Sequence, residues 1–456
     1  MLLGGKIQRF VIVVLTGYFI WIFSIFSGEA FASNSNNENL KEIVEGNNEF
    51  ALKLYDRIKE LPQIKAFEGN LFISPYSISN TFAMVYSGAR GNTAKEMGKV
   101  FCFPSLGFEQ VVTGFGDLRK QLQTNQEAAG FQLYLANSLW GRKGYAFLPE
   151  FLELNKKYFD AGLNELDFAK SEEARKTINT WVKERTKEKI RDLIPAGIIN
   201  GQTRLVLTNA IYFKGNWVIP FKEENTKPAK FNVTEEKKVE VQMMYQKESC
   251  KYAKTDDMEL LELPYGLDEI SVSIMEMGYE NGNNYGYSEV SKLMKEQLKE
   301  LPNLSMLIIL PKSINDLVLL EKRLNPQMLQ SNTQQMKLQE IKVYLPKFKM
   351  TCGTIELKNV LIEMGMKEAF KEMIADFSGI NGRRELFISN VLHKTFVEVN
   401  EKGTEAAAAS ALRISIGLEP PPPVFRVDRP FIFIIRDNKT GSILFMGRLV
   451  NPSLQG

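Results

Sequence analysis

The stretch Glu401-Lys-Gly-Thr-Glu-Ala-Ala-Ala-Ala-Ser-Ala-Leu-Arg-Ile-Ser-Ile-Gly417 contains no proline and mostly small side chains, and four consecutive prolines, Pro420 to Pro423, follow shortly after it. Taken with period two, Thr404, Ala406, Ala408, Ser410, Leu412, Ile414 and Ile416 share one face, small and then apolar. Glu405, Arg413 and Ser415 fall on the other face. This is the pattern of a strand able to enter a packed sheet. The alanine run after Thr404 and Glu405 also has high helix propensity, so a short helix is the competing reading of the same residues.

The flanks decide between them. Upstream, Lys394-Thr-Phe-Val-Glu-Val-Asn400 alternates as a strand does. Downstream, Phe431-Ile-Phe-Ile-Ile435 and Ser442-Ile-Leu-Phe-Met446 flank the turn Asp437-Asn-Lys-Thr-Gly441 as a hairpin. The tail resembles the serpin family in Glu401-Lys-Gly-Thr-Glu-Ala-Ala407, in Asp428-Arg-Pro-Phe-Ile-Phe433 and in Phe445-Met-Gly-Arg-Leu-Val-Asn-Pro452. Further similar segments follow the family's order: Asn70-Leu-Phe-Ile-Ser-Pro-Tyr-Ser-Ile-Ser79, Thr208-Asn-Ala-Ile-Tyr-Phe-Lys-Gly-Asn-Trp217, Leu261-Glu-Leu-Pro-Tyr265, Leu345-Pro-Lys-Phe348 and Leu361-Ile-Glu-Met-Gly-Met366.

The resemblance implies an α+β, single-domain serpin fold with three β-sheets, eight or nine helices and an exposed reactive-centre loop at about 401–424. Length alone suggests two or three domains, and the resemblance replaces that with one domain over 45–456. One departure lies inside it. In the family, a strand like Leu304-Ser-Met-Leu-Ile-Ile-Leu310 comes soon after a segment like Leu261–Tyr265, whereas here an insertion at about 267–303 intervenes. That insertion holds a strand-like Ile270-Ser-Val-Ser-Ile274, a Gly/Asn-rich link and a helical stripe of Val290, Leu293, Met294, Leu298 and Leu301, so two segments compete for one strand position.

The 456 residues are 44% hydrophobic and 24% charged, enough to bury a large core, and the formal net charge of +3 is spread among interspersed signs. Nothing in this balance points to nucleic acid or a membrane surface as partner. The N-terminus has Lys6 and Arg9, an apolar run from Phe10 to Phe26 and the small residues of Gly28-Glu-Ala-Phe-Ala32. It reads as a secretory signal over 1–32, with an uncleaved anchor as the other reading, followed by a loose polar segment at 33–44. The expected setting is therefore extracellular, without stable membrane association once the signal is cleaved. Secretion would make Asn438, Asn232 and Asn303 usable as N-glycosylation acceptors, with Asn438 in a hairpin turn the most exposed. Cys102, Cys250 and Cys352 are too few for a disulfide scaffold; one bridge with one free thiol, or three buried thiols, both remain open.

Enzyme chemistry finds little support. His393 is the only histidine, no G-x-S-x-G elbow, P-loop or G-x-G-x-x-G is present, and the nearest fragment, Gly114-Phe-Gly116, lacks its third glycine. No metal site or cofactor is expected. By the resemblance, His393 is instead the shutter histidine, hydrogen-bonded with Asn209, Ser74 and Ser77 beneath the central sheet, and Trp217 is the breach tryptophan where the loop first enters; plain core packing is the competing reading of Trp217.

The function implied is that of a monomeric suicide-substrate inhibitor. A target serine protease attacks the displayed loop, forms a covalent acyl-enzyme, and is trapped when the freed loop inserts as a new strand. The hinge Glu401, Gly403, Thr404, Glu405, Ala406, Ala407, Ala408 and Ala409 carries small side chains, as entry between packed strands requires. Counting on from the hinge as in the family gives Gly417 as the attacked residue, with Leu418 and Ile416 as neighbouring candidates. A non-inhibitory serpin acting as a carrier or binding protein is the alternative.

Overall fold

Apolar residues at helical spacing, among them Ile43, Phe50, Leu54 and Ile58, direct the first element, a helix over residues 37–58 with that stripe buried. The computed structural model describes residues 37–454 apart from 67, 104–106, 130, 160–162, 267–303, 352 and 404–420. The expected signal therefore lies outside the described residues. The expected loose segment 33–44 is corrected in part: residues 37–44 are helical, and Ile43 and Val44 are 1% and 4% exposed. The buried stripe begins earlier than the polar composition before it suggests.

Fifteen strands follow in chain order: β1 Leu71–Ile73, β2 Phe131–Arg142, β3 Leu163–Leu166, β4 Leu205–Gly215, β5 Lys227–Asn232, β6 Lys238–Lys254, β7 Met258–Tyr265, β8 Leu304–Pro311, β9 Lys337–Pro346, β10 Phe348–Met350, β11 Ile355–Glu356, β12 Ile388–Val399, β13 Val424–Arg426, β14 Phe431–Asp437 and β15 Ile443–Leu449. One sheet has nine strands in the order β1-β15-β14-β8-β7-β6-β9-β13, with β5 also on β6. The other has six, β10-β12-β4-β2-β3, with β11 beside β12. β6 is 17 residues long and pairs with β5, β9 and β7 along its length, so two of the three sheets implied by the sequence join into one hydrogen-bonded layer. Against eight or nine expected helices there are eleven among the described residues, four of them only 5, 7, 6 and 4 residues long.

β4 is buried on both faces, which is why it is mostly apolar, with Thr208 and Asn209 as its central polar pair. The inner face of the six-stranded sheet packs Leu207, Ile211 and Phe213 into the main core with Phe72, Phe433 and Phe445, and the helix Pro75–Tyr86 lies in that core with every residue from Pro75 to Val85 buried. Its outer face is covered by the helix Ser171–Arg185, where Trp181 meets Trp140 edge-on at 5.3 Å. The C-terminal hairpin forms as its turn predicts, with Gly441 at φ +78 closing the turn back to Asp437.

Of the two segments competing beside β7, the one at Leu304–Pro311 takes the position, paired from Met258↔Pro311 to Tyr265↔Leu304. All eight of its residues are buried. The insertion, including Ile270–Ile274, lies outside the described residues. Because Tyr265 and Leu304 already face each other as partners, a turn of three or four residues suffices to join the strands. Replacing 267–303 by such a turn is expected to leave the melting temperature within about 3 °C, since a loop shortened at closed ends removes no ladder bonds. A drop above about 10 °C would show instead that the segment is part of the packed core.

Candidate functional site

The six-stranded sheet contains a seam. β4 and β12 are direct neighbours and run parallel, paired from Ile388↔Leu205 to Phe396↔Tyr212. A strand running opposite to both could enter between them and form an antiparallel ladder on each side, the slightly stronger pattern. The chain leaves β12 directly into Glu401–Gly403, at the mouth of this seam.

Across the inner face of the seam runs one row of polar side chains. Asn209 on β4 is the register partner of His393 on β12 and of Asn137 on β2. The Ser74 backbone N–H donates to His393 Nε2 at 3.2 Å, so Nδ1 carries the ring proton and donates to Asn209 Oδ1 at 2.5 Å. Asn209 Nδ2 in turn donates to Ser77 Oγ and Thr81 Oγ1, both at 2.8 Å, and lies 3.0 Å from Asn137 Oδ1. Ser77 Oγ closes the ring by donating to Asn137 Oδ1 at 2.9 Å. Ser74 Oγ accepts from the Ser77 N–H as helix cap and donates to the Leu444 carbonyl. The network thus ties both banks of the seam to the helix Pro75–Tyr86 and to β15.

His393 is fully buried, and burial pushes its pKa from the ordinary 6.5 down to about 3, with the bond to Asn209 acting in the opposite sense. The imidazole is therefore neutral at physiological pH and serves as a hydrogen-bonding strut.

At the mouth, Gly403 sits at φ +119 with a bridge to Asn216, and a Cβ there would lie 2.3 Å from the Gly215 carbonyl oxygen. Only glycine fits. The Trp217 N–H donates to the Lys402 carbonyl at 3.0 Å and its indole Nε1 to the Asn400 carbonyl at 3.1 Å. Its ring stacks on Tyr265 at 4.5 Å. Trp217 thus both packs in the core, at 1% exposure, and holds the hinge. Glu401 is buried beside Lys347 at 2.7 Å and accepts from Thr226 Oγ1 at 2.8 Å. Burial raises its carboxyl pKa, but Lys347, its own backbone N–H and Thr226 outweigh this and hold it below the ordinary carboxylate value.

Of the residues singled out in the sequence, Ser74, Ser77, Asn209 and His393 meet in the inner-face network, and Glu401, Gly403 and Trp217 meet at the mouth. Thr404, Glu405, Ala406, Ala407, Ala408, Ala409, Ile416, Gly417, Leu418 and Asn303 lie outside the described residues. Asn438 is exposed in its turn and accepts from Ser305 Oγ at 2.9 Å, while Asn232 is half-buried with its amide donating to the Asp428 carbonyl. Cys102 and Cys250 are free thiols, and burial, with a smaller contribution from Glu248, pushes the Cys250 pKa up to about 12. Sequence reasoning missed Asn137, Thr81, Lys347 and Thr226. A polar Asn137 within the apolar alternation of β2 is a signal for the first; the others have none, because their partners are distant in the chain.

A family model described as serpin (serine protease inhibitor) matches residues 45–452. The chain belongs to the serpin family. It is 39% identical over 422 residues to the human leukocyte elastase inhibitor, covering 91% of this chain and 100% of that one. Among solved structures, uncleaved ovalbumin is 30% identical with a TM-score of 0.73 over 90% of this chain and 100% of its own. Human thyroxine-binding globulin in complex with thyroxine is 27% identical with a TM-score of 0.75 over 91% and 99%. This serpin is an inhibitor of serine proteases and not an enzyme.

The neutral, buried His393 makes stability pH-dependent. The unfolded imidazole takes up a proton below about 6.5 while the folded one stays neutral to about 3, so stability is lost as pH falls through that window. Between pH 7 and pH 5 the wild type is expected to lose about 2 kcal/mol more than a His393→Gln variant, read from urea unfolding midpoints. Parallel pH profiles for the two proteins would contradict the assignment.

Proposed function

We propose that this serpin is a secreted suicide-substrate inhibitor that traps its protease by drawing the cleaved loop into the seam between β4 and β12. The observation that carries this reading is the direct parallel pairing of those strands, with Glu401–Gly403, the start of the hinge, docked at their mouth. A protease attacking the loop forms an acyl-enzyme ester. Scission frees the strand from its C-terminal tether. Hinge residues then leave the Trp217 and Asn216 contacts and enter the seam, where each added residue gains backbone hydrogen bonds to strands on both sides. The acylated protease is carried with the loop.

Small side chains suit this entry. Ala406 to Ala409 present little bulk to a gap between close-packed strands, and larger groups would overpack it. Leu418, Gly417 and Ile416 are the bait candidates, and an apolar bait residue suits a chymotrypsin- or elastase-like target, in keeping with relatives named as inhibitors of leukocyte elastase. The leader-like N-terminus and the exposed sequon at Asn438 support secretion and glycosylation. A carrier role is the second reading, favoured by the similarity to a globulin whose structure holds thyroxine. The alanine hinge favours inhibition.

Incubation with chymotrypsin, pancreatic elastase and trypsin, followed by denaturing electrophoresis, is expected to reveal an SDS-stable complex. Mass spectrometry of the released C-terminal peptide is expected to begin one residue after the bait. Ala406→Pro removes a ladder donor at the point of entry and is expected to turn the protein into a plain substrate, cleaved without a complex. Persistence of the complex in that variant would contradict insertion through the hinge.

A further inference from the structure

β13 is three residues long and forms the edge of the nine-stranded sheet, immediately after Pro420 to Pro423. On its outer face one row crosses three strands: Arg426 on β13 is the partner of Tyr344 on β9, which is the partner of Tyr245 on β6. The alternate residues Phe425 and Val343 are fully buried, so the row lies on the opposite, solvent side. The Arg426 guanidinium lies 3.7 Å from the Tyr344 ring centroid, and Tyr344 and Tyr245 are 4.8 Å apart. One rung away, Val424 is 50% exposed and opposite Lys342.

Among the described residues, neither the Arg426 guanidinium nor the Lys342 ammonium has an ion-pair or hydrogen-bond partner. Stacking on tyrosine holds the arginine fork in place while its N–H edges stay free, so little freedom remains to be lost when a carboxylate arrives. Arginine and tyrosine side by side, half-buried on the solvent side of the sheet, are also the residue types that dominate protein-binding energetics.

What reaches this face follows from the length of the tether. From Leu418 to Val424 is six residues and from Ile416 eight, so a scissile bond at the bait candidates lies at most roughly 20 to 28 Å from the β13 edge. A serine protease of roughly 240 residues has a radius of gyration of about 18 Å and a diameter of about 45 Å. A protease body holding the loop therefore overhangs β13 and its neighbours.

We propose that Arg426, Tyr344 and Tyr245, with Lys342, form a docking surface for a carboxylate-bearing rim of the target serine protease, which sets how fast a given protease is captured. This rests on the inhibitor reading above. The surface acts on encounter and leaves loop insertion untouched, so it alters the association rate and its salt dependence while the partition between trapping and turnover stays the same.

The test measures second-order rates of complex formation with chymotrypsin, pancreatic elastase and trypsin at low and physiological salt. For the protease that the wild type traps fastest, Arg426→Glu is expected to slow capture about tenfold or more and to flatten the salt dependence, with stoichiometry unchanged. Lys342→Glu, a milder surface change that guards against misfolding of the first variant, is expected to act in the same direction, and circular dichroism melts of both should match the wild type. A wild type that traps a protease while Arg426→Glu traps it equally fast, within about twofold, or faster, overturns the docking surface alone. A wild type that traps none of the three overturns the inhibitor reading and this surface with it.

Discussion

Two parallel strands, β4 and β12, largely buried on both faces, are hydrogen-bonded directly to each other in the middle of a sheet, and the polar row and the hinge mouth are arranged around that contact. A parallel pair inside a sheet is ordinary when both strands are reached by crossovers. Here β12 runs into Glu401–Gly403 at the mouth of the seam, and the next described strand, β13, belongs to the other sheet. Mixed and antiparallel arrangements are somewhat more stable, which leaves the direct pairing a state that a third, antiparallel strand would improve.

The seam is closed by side chains as well as by backbone. In the row of Asn137, Asn209 and His393 the last two are buried, and each buried polar group needs its partner. Parting the strands therefore breaks the His393–Asn209 bond unless the incoming backbone replaces it, which discourages opening without an occupant. The mouth follows the same logic. Glu401 is held by Lys347, Gly403 lies against the end of β4, and Trp217 bonds the Asn400 and Lys402 carbonyls, so Glu401–Gly403 are fixed at the entry.

Much of this was legible in the sequence, unevenly. The C-terminal hairpin is two short apolar runs about a turn of Asp437-Asn-Lys-Thr-Gly441, and the strand before the hinge alternates, so local pattern suffices. His393, Asn209, Ser74 and Ser77 were reached through the family resemblance, because no local pattern brings together residues so far apart in the chain. Thr81 and Lys347 were missed for that same reason: their roles exist only after the helix Pro75–Tyr86 slides under β4 and β10 comes beside β12. The helical start at residue 37 was missed because polar composition before it masked a stripe already running through Ile43. The competition between Ile270–Ile274 and Leu304–Pro311 was undecidable locally, since an alternating run and a continuous apolar run can each form a strand; Leu304–Pro311 has a ladder on each side, to β7 and to β14.

On the proposed inhibitory mechanism, the uncut loop holds the intact chain away from its most stable arrangement. The most direct measurement is calorimetric melting of the intact protein beside material clipped once within residues 404–420 with both pieces retained. A melting temperature raised by about 20 °C or more on clipping is the expected result, because ladder bonds and apolar burial are added to the sheet core. Identical melting of clipped and intact protein would mean that no strand is gained, and the account would fail.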